Sequence, residues 1–360
     1  MHLQIVSAIL LVKRFLMYGG LIMRKITIKD VAKHAGVSIG TVSKVMNNKG
    51  YASSKTREIV LKAVDELSYK VNAHARDLKS SKSNRVGVII SDISNPYLMS
   101  IAKSVEEMLR TINYHMILMS HNEDEQIERE SMQILLEQQV DALVTIPTGE
   151  NADMVKMFLD RAIPVIAVDR KVETIETDLI VDDNYYGSYE SIMYLRSIGH
   201  EQIGVLYGHE KNSIGRERYQ GAVDAIKEDG GLIDYSLIKQ ANFLEENAYQ
   251  ATTEMILSPK PPTAIYSCNN TMTIGMLRAI YDQNLNFPND ISVIAFGDSA
   301  QWKLVKPSLT IMTQPLKRIG NEASIMLKNR LLADENYPIK QIVIKPKLTV
   351  NDSCKRLNKK

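Results

Sequence analysis

The chain has 360 residues, 44% of them hydrophobic, so it can bury a large core; at roughly 150 residues per domain it should hold two or three domains, which excludes a disordered tail or a disulfide-stapled miniature. Its two cysteines, Cys268 and Cys354, are too few for a disulfide framework and point to a reducing, cytoplasmic setting. A formal charge of only +2 hides an uneven distribution. Residues 24–85 hold 14 Lys and Arg against 5 Asp and Glu, net +9, whereas residues 86–360 hold 28 against 37, net −9. A small basic module on a larger acidic one suits a polyanion-binding piece carried by a domain that does not itself adhere to nucleic acid.

Residues 1–22 contain an apolar run from Ile5 to Val12 that is too short to span a bilayer. Lys13 and Arg14 follow this run instead of preceding it, so neither a membrane anchor nor a signal peptide is expected. The expectation is that translation begins at Met23 and that 1–22 is a mis-assigned extension. Gly19-Gly20 would be encoded by GGN codons, which can spell a purine-rich ribosome-binding sequence upstream of Met23.

From Ile26 the chain reads ITIKDVAKHAGVSIGTVSKVMNNKGYASSKTREIVLKAVDELSYKVN. Thr27 can cap a helix whose apolar positions Ile28, Val31, Ala32 and Ala35 recur at helical spacing, and Gly36 stops it. Ser38 can cap a second short helix that turns Val42, Val45 and Met46 inward after a link of only Gly36 and Val37, the spacing of a helix-turn-helix. A third helix is expected from about Ser54, with Ile59, Val60, Ala63, Val64 and Leu67 as its buried stripe. A basic bundle that meets no nucleic acid is the bland alternative, and turn spacing and charge together favour DNA.

The run A-G-V-S-x-x-T-V-S-K-V-x-N from Ala35, followed by Ser54-Lys55-Thr56-Arg57, resembles the LacI/GalR-type transcriptional repressors, and the likeness continues more loosely through the rest of the chain. The resemblance implies that the second helix enters the major groove of palindromic double-stranded operator DNA. Ile39, Gly40 and Lys44 would face bases, while Thr27, Ser38, Thr41, Ser43, Asn47, Tyr51 and Thr56 would hold the phosphate backbone and set register. Lys44 can donate to guanine O6 and N7 without the rigid fork of an arginine, and Gly40 costs its helix ~1 kcal/mol relative to Ala. Asn72, Ala75 and Leu78 recur at three-residue spacing, as in the hinge helix of that family, which folds on the operator and wedges a leucine into the minor groove; Leu78 would be the wedge. Val71 stands where the family usually has proline, and a plain linker running into Lys79–Ser83 is the other reading of this segment.

After Asn84 strands and helices alternate. Strands are expected at 86–90, 115–119, 142–146, 164–168, 204–207, 263–266 and 292–296. Helices are expected near 98–110, 125–138, 152–160, 186–198, 216–228, 248–257, 271–283 and 319–332, the last crossing back into the first of two lobes. Two open α/β sheets resemble the periplasmic-binding-protein-like effector domain of the same family, whose ligand lies beyond the carboxyl ends of the strands. By that resemblance Tyr97, Asp169, Arg170, Arg218, Asn269, Asp298 and Trp302 are the candidate effector contacts. An arginine offers a two-pronged donor, and Tyr97 or Trp302 could stack on a sugar ring, although an arginine in such a fold is as often solvated and a tryptophan as often packing. Gly297 and Cys268-Asn269-Asn270 stand where the family often carries aspartates. That loss leaves Arg170, Arg216 and Arg218 with fewer obvious partners and leads to the expectation of a sugar acid or sugar phosphate over a neutral hexose.

The expected organisation is an extension (1–22), a helix-turn-helix domain (23–71), a hinge helix and linker (72–83), an effector-binding and dimerisation domain (84–352) and a basic tail (353–360). Lobe one would comprise about 84–183 and 316–343, and lobe two about 184–313 and 344–352. The leading reading is a cytoplasmic, homodimeric repressor of carbohydrate-utilisation genes, controlled by a small carbohydrate-type effector, with no cofactor, metal or membrane partner. Ile101, Val105 and Met108 are the candidate dimer surface, or else pack on the sheet. A solute-binding transport protein is disfavoured by the basic block. An enzyme is disfavoured because there is no P-loop, H-E-x-x-H, G-x-S-x-G or metal-spaced cysteine pair, and Cys268 is expected to be a buried structural thiol.

Overall fold

The computed structural model describes residues 26–46, 50–69, 82–297, 300–332 and 337–357. The extension 1–22, Asn47, the hinge positions Asn72, Ala75 and Leu78, and Asp298 lie outside them. The chain divides into two units, Met1–Lys82 and Ser83–Lys360.

In the first unit, Thr27 precedes α1 (Ile28–Ala35), with its backbone N–H and its hydroxyl both donating to the Asp30 carboxylate at 2.8 and 2.7 Å. Gly36 closes the helix at φ +64, a left-handed conformation that favours glycine. Ser38 then opens α2 (Ile39–Met46) by accepting the Thr41 N–H at 3.1 Å, and Ser53 opens α3 (Ser54–Glu66) by accepting the Thr56 N–H. Val31, Ala32, Val42, Val45, Val60 and Ala63 form one small core, which explains the spacing of the apolar positions in all three helices. The expected stripe of α3 is split, for Val60 is fully buried while Ile59 is 43% exposed.

The second unit contains two six-stranded sheets. The first has the order β2-β1-β3-β4-β5-β11 and the second β7-β6-β8-β9-β10-β12. Strands β1 (Arg85–Ile90), β2 (His115–Ser120), β3 (Ala142–Thr145), β4 (Val165–Val168), β5 (Asp178–Asp182) and β11 (Gln341–Ile344) are all parallel. In the second sheet β6 (Ile203–Tyr207), β7 (Ile238–Gln240), β8 (Ala264–Ser267), β9 (Ser292–Phe296) and β10 (Thr310–Thr313) run parallel, and β12 (Lys347–Thr349) closes the edge antiparallel to β10. The central strands read as unbroken apolar runs because helices cover both faces.

Helices α4 (Pro96–Thr111), α5 (Glu125–Glu137), α6 (Ala152–Asp160) and α11 (Leu316–Leu332) flank the first sheet. Helices α7 (Asn184–Ser197), α8 (Ser213–Lys227), α9 (Glu245–Ile256) and α10 (Asn270–Asp282) flank the second. The late helix α11 does cross back to the first lobe, where Ile319, Ala323 and Leu327 join the core of β1 and α4. Ile101 and Val105 are buried in that same core and Met108 packs against it, so this face of α4 covers the sheet and is not a free dimer surface.

Five of these strands, β5, β7, β10, β11 and β12, are absent from the expected set, because three to five residues with polar ends show too little periodicity to register. Helices α7, α8 and α9 begin two or three residues earlier than expected. For α7 and α8 the start is set by caps, the Asp183 and Asn212 side chains accepting the N–H groups of Tyr186 and Gly215.

Candidate functional site

In the first unit, the described positions that the resemblance assigns to DNA lie on the outer side of the bundle. Ile39 (42% exposed), Gly40 and Lys44 project from α2, Tyr51 is 91% exposed, and Thr41, Ser43 and Thr56 are half-buried beside them. A side chain at Gly40 would have open space, its nearest neighbour being the Ser38 hydroxyl at 3.7 Å, so nothing within the bundle demands glycine there. The hydroxyls of Ser38 and Thr41 are joined at 2.9 Å, and those of Ser53 and Thr56 at 2.8 Å.

In the second unit, a cavity of about 280 Å³ opens where the carboxyl ends of both sheets converge. The end of one strand and the segments after six others supply parts of its wall. Ser91 follows β1, Glu123 follows β2, Asp169 and Arg170 follow β4, Phe243 follows β7, Asn269 and Asn270 follow β8, Phe296 ends β9 and Gln314 follows β10. Tyr97 and Arg218 enter from α4 and α8. Five of the seven residues expected from the sequence therefore share one wall: Tyr97, Asp169, Arg170, Arg218 and Asn269. Trp302 does not join them. It is buried in the second core, and its indole N–H donates to Asn270 Oδ1 at 3.1 Å and to the Gly297 carbonyl at 3.2 Å.

Four polar groups interlock at the floor. The Tyr97 hydroxyl faces Asp169 Oδ1 at 3.1 Å and Asp182 Oδ2 at 3.3 Å and can donate to only one of them, while it accepts from Gln314 Nε2 at 3.0 Å. Gln314 also donates to Asp182 Oδ2, and Asp182 Oδ1 is buried with no partner. Burial pushes the Asp182 carboxyl up to about 6; the amide of Gln314 opposes this shift and the neighbouring Asp169 reinforces it. Burial also raises Tyr97 well above the ordinary phenol range, helped by Asp169 and Asp182.

The expectation of unpaired arginines fails at two of three positions. Arg170, 4% exposed, is gripped by Glu123 through Nη1 to Oε2 at 2.7 Å and Nη2 to Oε1 at 2.6 Å. Burial acts against both charges, yet the pair keeps Glu123 below and Arg170 above the ordinary range of each. Arg216 lies on the surface with Glu173. Of the three, Arg218 alone has no carboxylate in direct contact among the described residues. Its Nε donates to Asn184 Oδ1 at 2.8 Å, its Nη1 donates to the Cys268 carbonyl at 2.5 Å, and its guanidinium lies 3.7 Å above the Phe296 ring. The sequence conceals these partners because they lie 34 to 78 residues from Arg218. Cys268 is the expected structural thiol, since burial pushes it up to about 12.

The departure at Gly297 has a steric reason. Its φ is +110, and a side chain there would come within 2.8 Å of Asn270 Oδ1, the atom that Trp302 holds. Phe243, Glu123 and Gln314 escaped the sequence reading. Each follows a strand, but β7 and β10 are too short to show themselves, and Glu123 stands in an acidic run, Glu123-Asp124-Glu125, that looks like a solvated surface.

A helix-turn-helix unit on one chain with a two-lobed, cleft-bearing unit defines the class of ligand-responsive DNA-binding regulators. The sequence matches the model for bacterial regulatory proteins of the lacI family over residues 27–72 and that for periplasmic binding proteins and the sugar binding domain of the LacI family over residues 83–350. It is 32% identical over 337 residues to the HTH-type transcriptional regulator DegA of Bacillus subtilis, covering 93% of this chain and 99% of that protein. It is likewise 32% identical to the HTH-type transcriptional repressor PurR of Photobacterium profundum, covering 92% and 99%. The fold is that of the lac repressor dimer bound to operator and the anti-inducer ONPF, with a TM-score of 0.77 at 24% identity over 92% of this chain and 99% of the other. The chain belongs to the LacI family of DNA-binding transcriptional regulators. Among the described residues no helix is long and apolar enough to cross a membrane.

Proposed function

We propose that the protein is a homodimeric repressor of carbohydrate-utilisation genes and that a small polyol bound in the cleft controls its affinity for a palindromic operator. In this reading Ile39, Gly40 and Lys44 face bases, the hydroxyl-bearing residues around them hold phosphates, and Asn72, Ala75 and Leu78 form the hinge that meets the minor groove. One recognition helix reads too few base pairs to select a genomic site, so two half-sites and a two-fold dimer are required.

The observation that carries the effector reading is the cleft wall at the carboxyl ends of both sheets. It sets the acidic Asp169 and the guanidinium of Arg218 beside the aromatic rings of Phe243 and Phe296. Carboxylates accept from sugar hydroxyls, guanidiniums donate to them, and a ring covers the apolar face of a pyranose or furanose. Among the described residues of that wall, three carboxylates, Asp92, Glu123 and Asp169, stand against two guanidiniums, a balance that favours a neutral sugar over the sugar acid or phosphate expected from the sequence.

Genomic fragments retained by the purified protein should be sequenced and the enriched palindrome then used in mobility-shift assays with a panel of neutral sugars. One sugar should change operator affinity, and the genes beside the palindrome should act on it. Failure to retain any fragment at low ionic strength would remove the regulator's proposed operator, and retention that no small polyol alters would remove the effector.

A further inference from the structure

The Arg170–Glu123 pair is an unusual component of a ligand cavity. Arginine is the side chain best suited to a carboxylate or phosphate, yet here both of its terminal nitrogens are already engaged by one carboxylate. Its Nε is buried without an acceptor, and the nearest charge on that side is Asp169 Oδ2 at 4.0 Å. The backbone that delivers Glu123 is itself special. Asn122 and Glu123 have φ of +50 and +62, a region that glutamate rarely adopts. The second lobe repeats the device after its own edge strand: Asn242 and Phe243 have φ of +55 and +61, and Phe243 enters the same cavity. The two loops, each a left-handed asparagine followed by a left-handed larger residue, thus insert one side chain apiece from opposite lobes. The guanidinium of Arg170 lies between them, 5.7 Å from the centre of the Phe243 ring. Strain of this kind persists where a side chain must be held in one place.

We propose that Glu123 sets the charge preference of the cleft: by occupying both ends of the Arg170 guanidinium it converts a buried cation into a closed ion pair, so the site accepts uncharged polyols and rejects carboxylates and phosphates. The proposal rests on the cleft being the effector site. Glu123 acts through Arg170 and is therefore a positioning residue. Removing its charge leaves Arg170 compensated in part by Asp169 and by the field of buried Glu128, so the unit should still fold, but the fork of Arg170 becomes free for an incoming anion.

The test uses the full chain and thermal unfolding at constant ionic strength, with inorganic phosphate and glucuronate as anionic probes and D-glucose and D-ribose as neutral ones. Wild type should be unmoved by phosphate at concentrations where Glu123→Gln shows a saturable rise in Tm, with at least a tenfold gain in apparent phosphate affinity. Adding Arg170→Met to Glu123→Gln should abolish that gain, which a merely structural role for Glu123 would not require. Glu123→Asp, which withdraws the carboxylate by one methylene, should give a smaller gain and serves as the readout if Glu123→Gln does not fold. Equal phosphate responses in wild type and the Glu123 variants, or a gain that survives Arg170→Met, would overturn the assignment. A neutral sugar that stabilises wild type while neither variant gains an anion response sinks the role of Glu123 and leaves the effector reading standing. The opposite pattern keeps the role of Glu123 and sinks the polyol effector.

Discussion

Two residues show how a local cost marks a purpose. Gly40 stands on the exposed face of α2 with nothing within the bundle to exclude a methyl group. Gly40→Ala should therefore stabilise the helix-turn-helix unit by ~1 kcal/mol in chemical denaturation and, by placing a methyl group on the groove-facing side, weaken operator binding in a mobility shift. Unchanged binding would assign the glycine to chance. Asp182 carries the second case. Its carboxyl titrates at about 6 in the fold against 3.8 as the reference value, so between those pH values the folded chain holds a proton that the unfolded chain has lost. Its contribution is thus most favourable at low pH, declines as the pH rises from about 4 through about 6, and is level above, a span of about 3 kcal/mol at most. Asp182→Asn should lack that decline, so the stability difference between variant and wild type in urea unfolding should grow in the variant's favour as the pH rises from 4 to about 6 and stay level to 7.5; parallel curves would show that the buried carboxylate is not protonated in this range.

At the scale of elements, the reach of the sequence is set by how much each element repeats its own pattern. The apolar runs of β1, β3 and β4 and the capped helices of the basic unit are legible because burial on both faces, or a single stripe, imposes a period. Strand β7, Ile238–Gln240, shows no such period, and with it the loop that carries Phe243 was lost. One turn on from Arg218, Gly221 has an equal part in placing that arginine. A side chain at Gly221 would come within 2.3 Å of the Tyr185 carbonyl, so the close contact of α7 and α8 that positions Arg218 depends on its absence. Gly221→Ala should cost more than 2 kcal/mol by equilibrium unfolding and lower sugar affinity with it, because overpacking forces the helices apart. A stability within 0.5 kcal/mol of wild type would mean that the two helices can yield there.

For the whole molecule, the opposed charges of the two units set the solution behaviour. The basic stretch 24–85, net +9, should bind DNA through phosphate contacts, so operator affinity should fall by several orders of magnitude between about 50 and 200 mM salt. A flat salt dependence would contradict that electrostatic footing. Sedimentation at micromolar protein should show a dimer, and a monomer with or without operator would count against the symmetric reading. The proposed preference for a neutral effector turns on a contact that the sequence conceals. The pairing of Arg170 with Glu123 joins residues 47 apart in the chain, and no periodicity or motif links them.

The path of the chain between the sheets also governs how the protein is made. The first lobe begins the second unit, yet its core needs Ile319, Ala323, Leu327 and Leu331 from α11 and Ile344 from β11, all of which emerge from the ribosome after nearly the whole second lobe. The lobe that is started first is thus finished last, and the nascent chain holds one incomplete core while the next one is being built. A chain ended before Leu316 would keep most of lobe two but leave β5 as an open edge, without β11, and α4 without its cover.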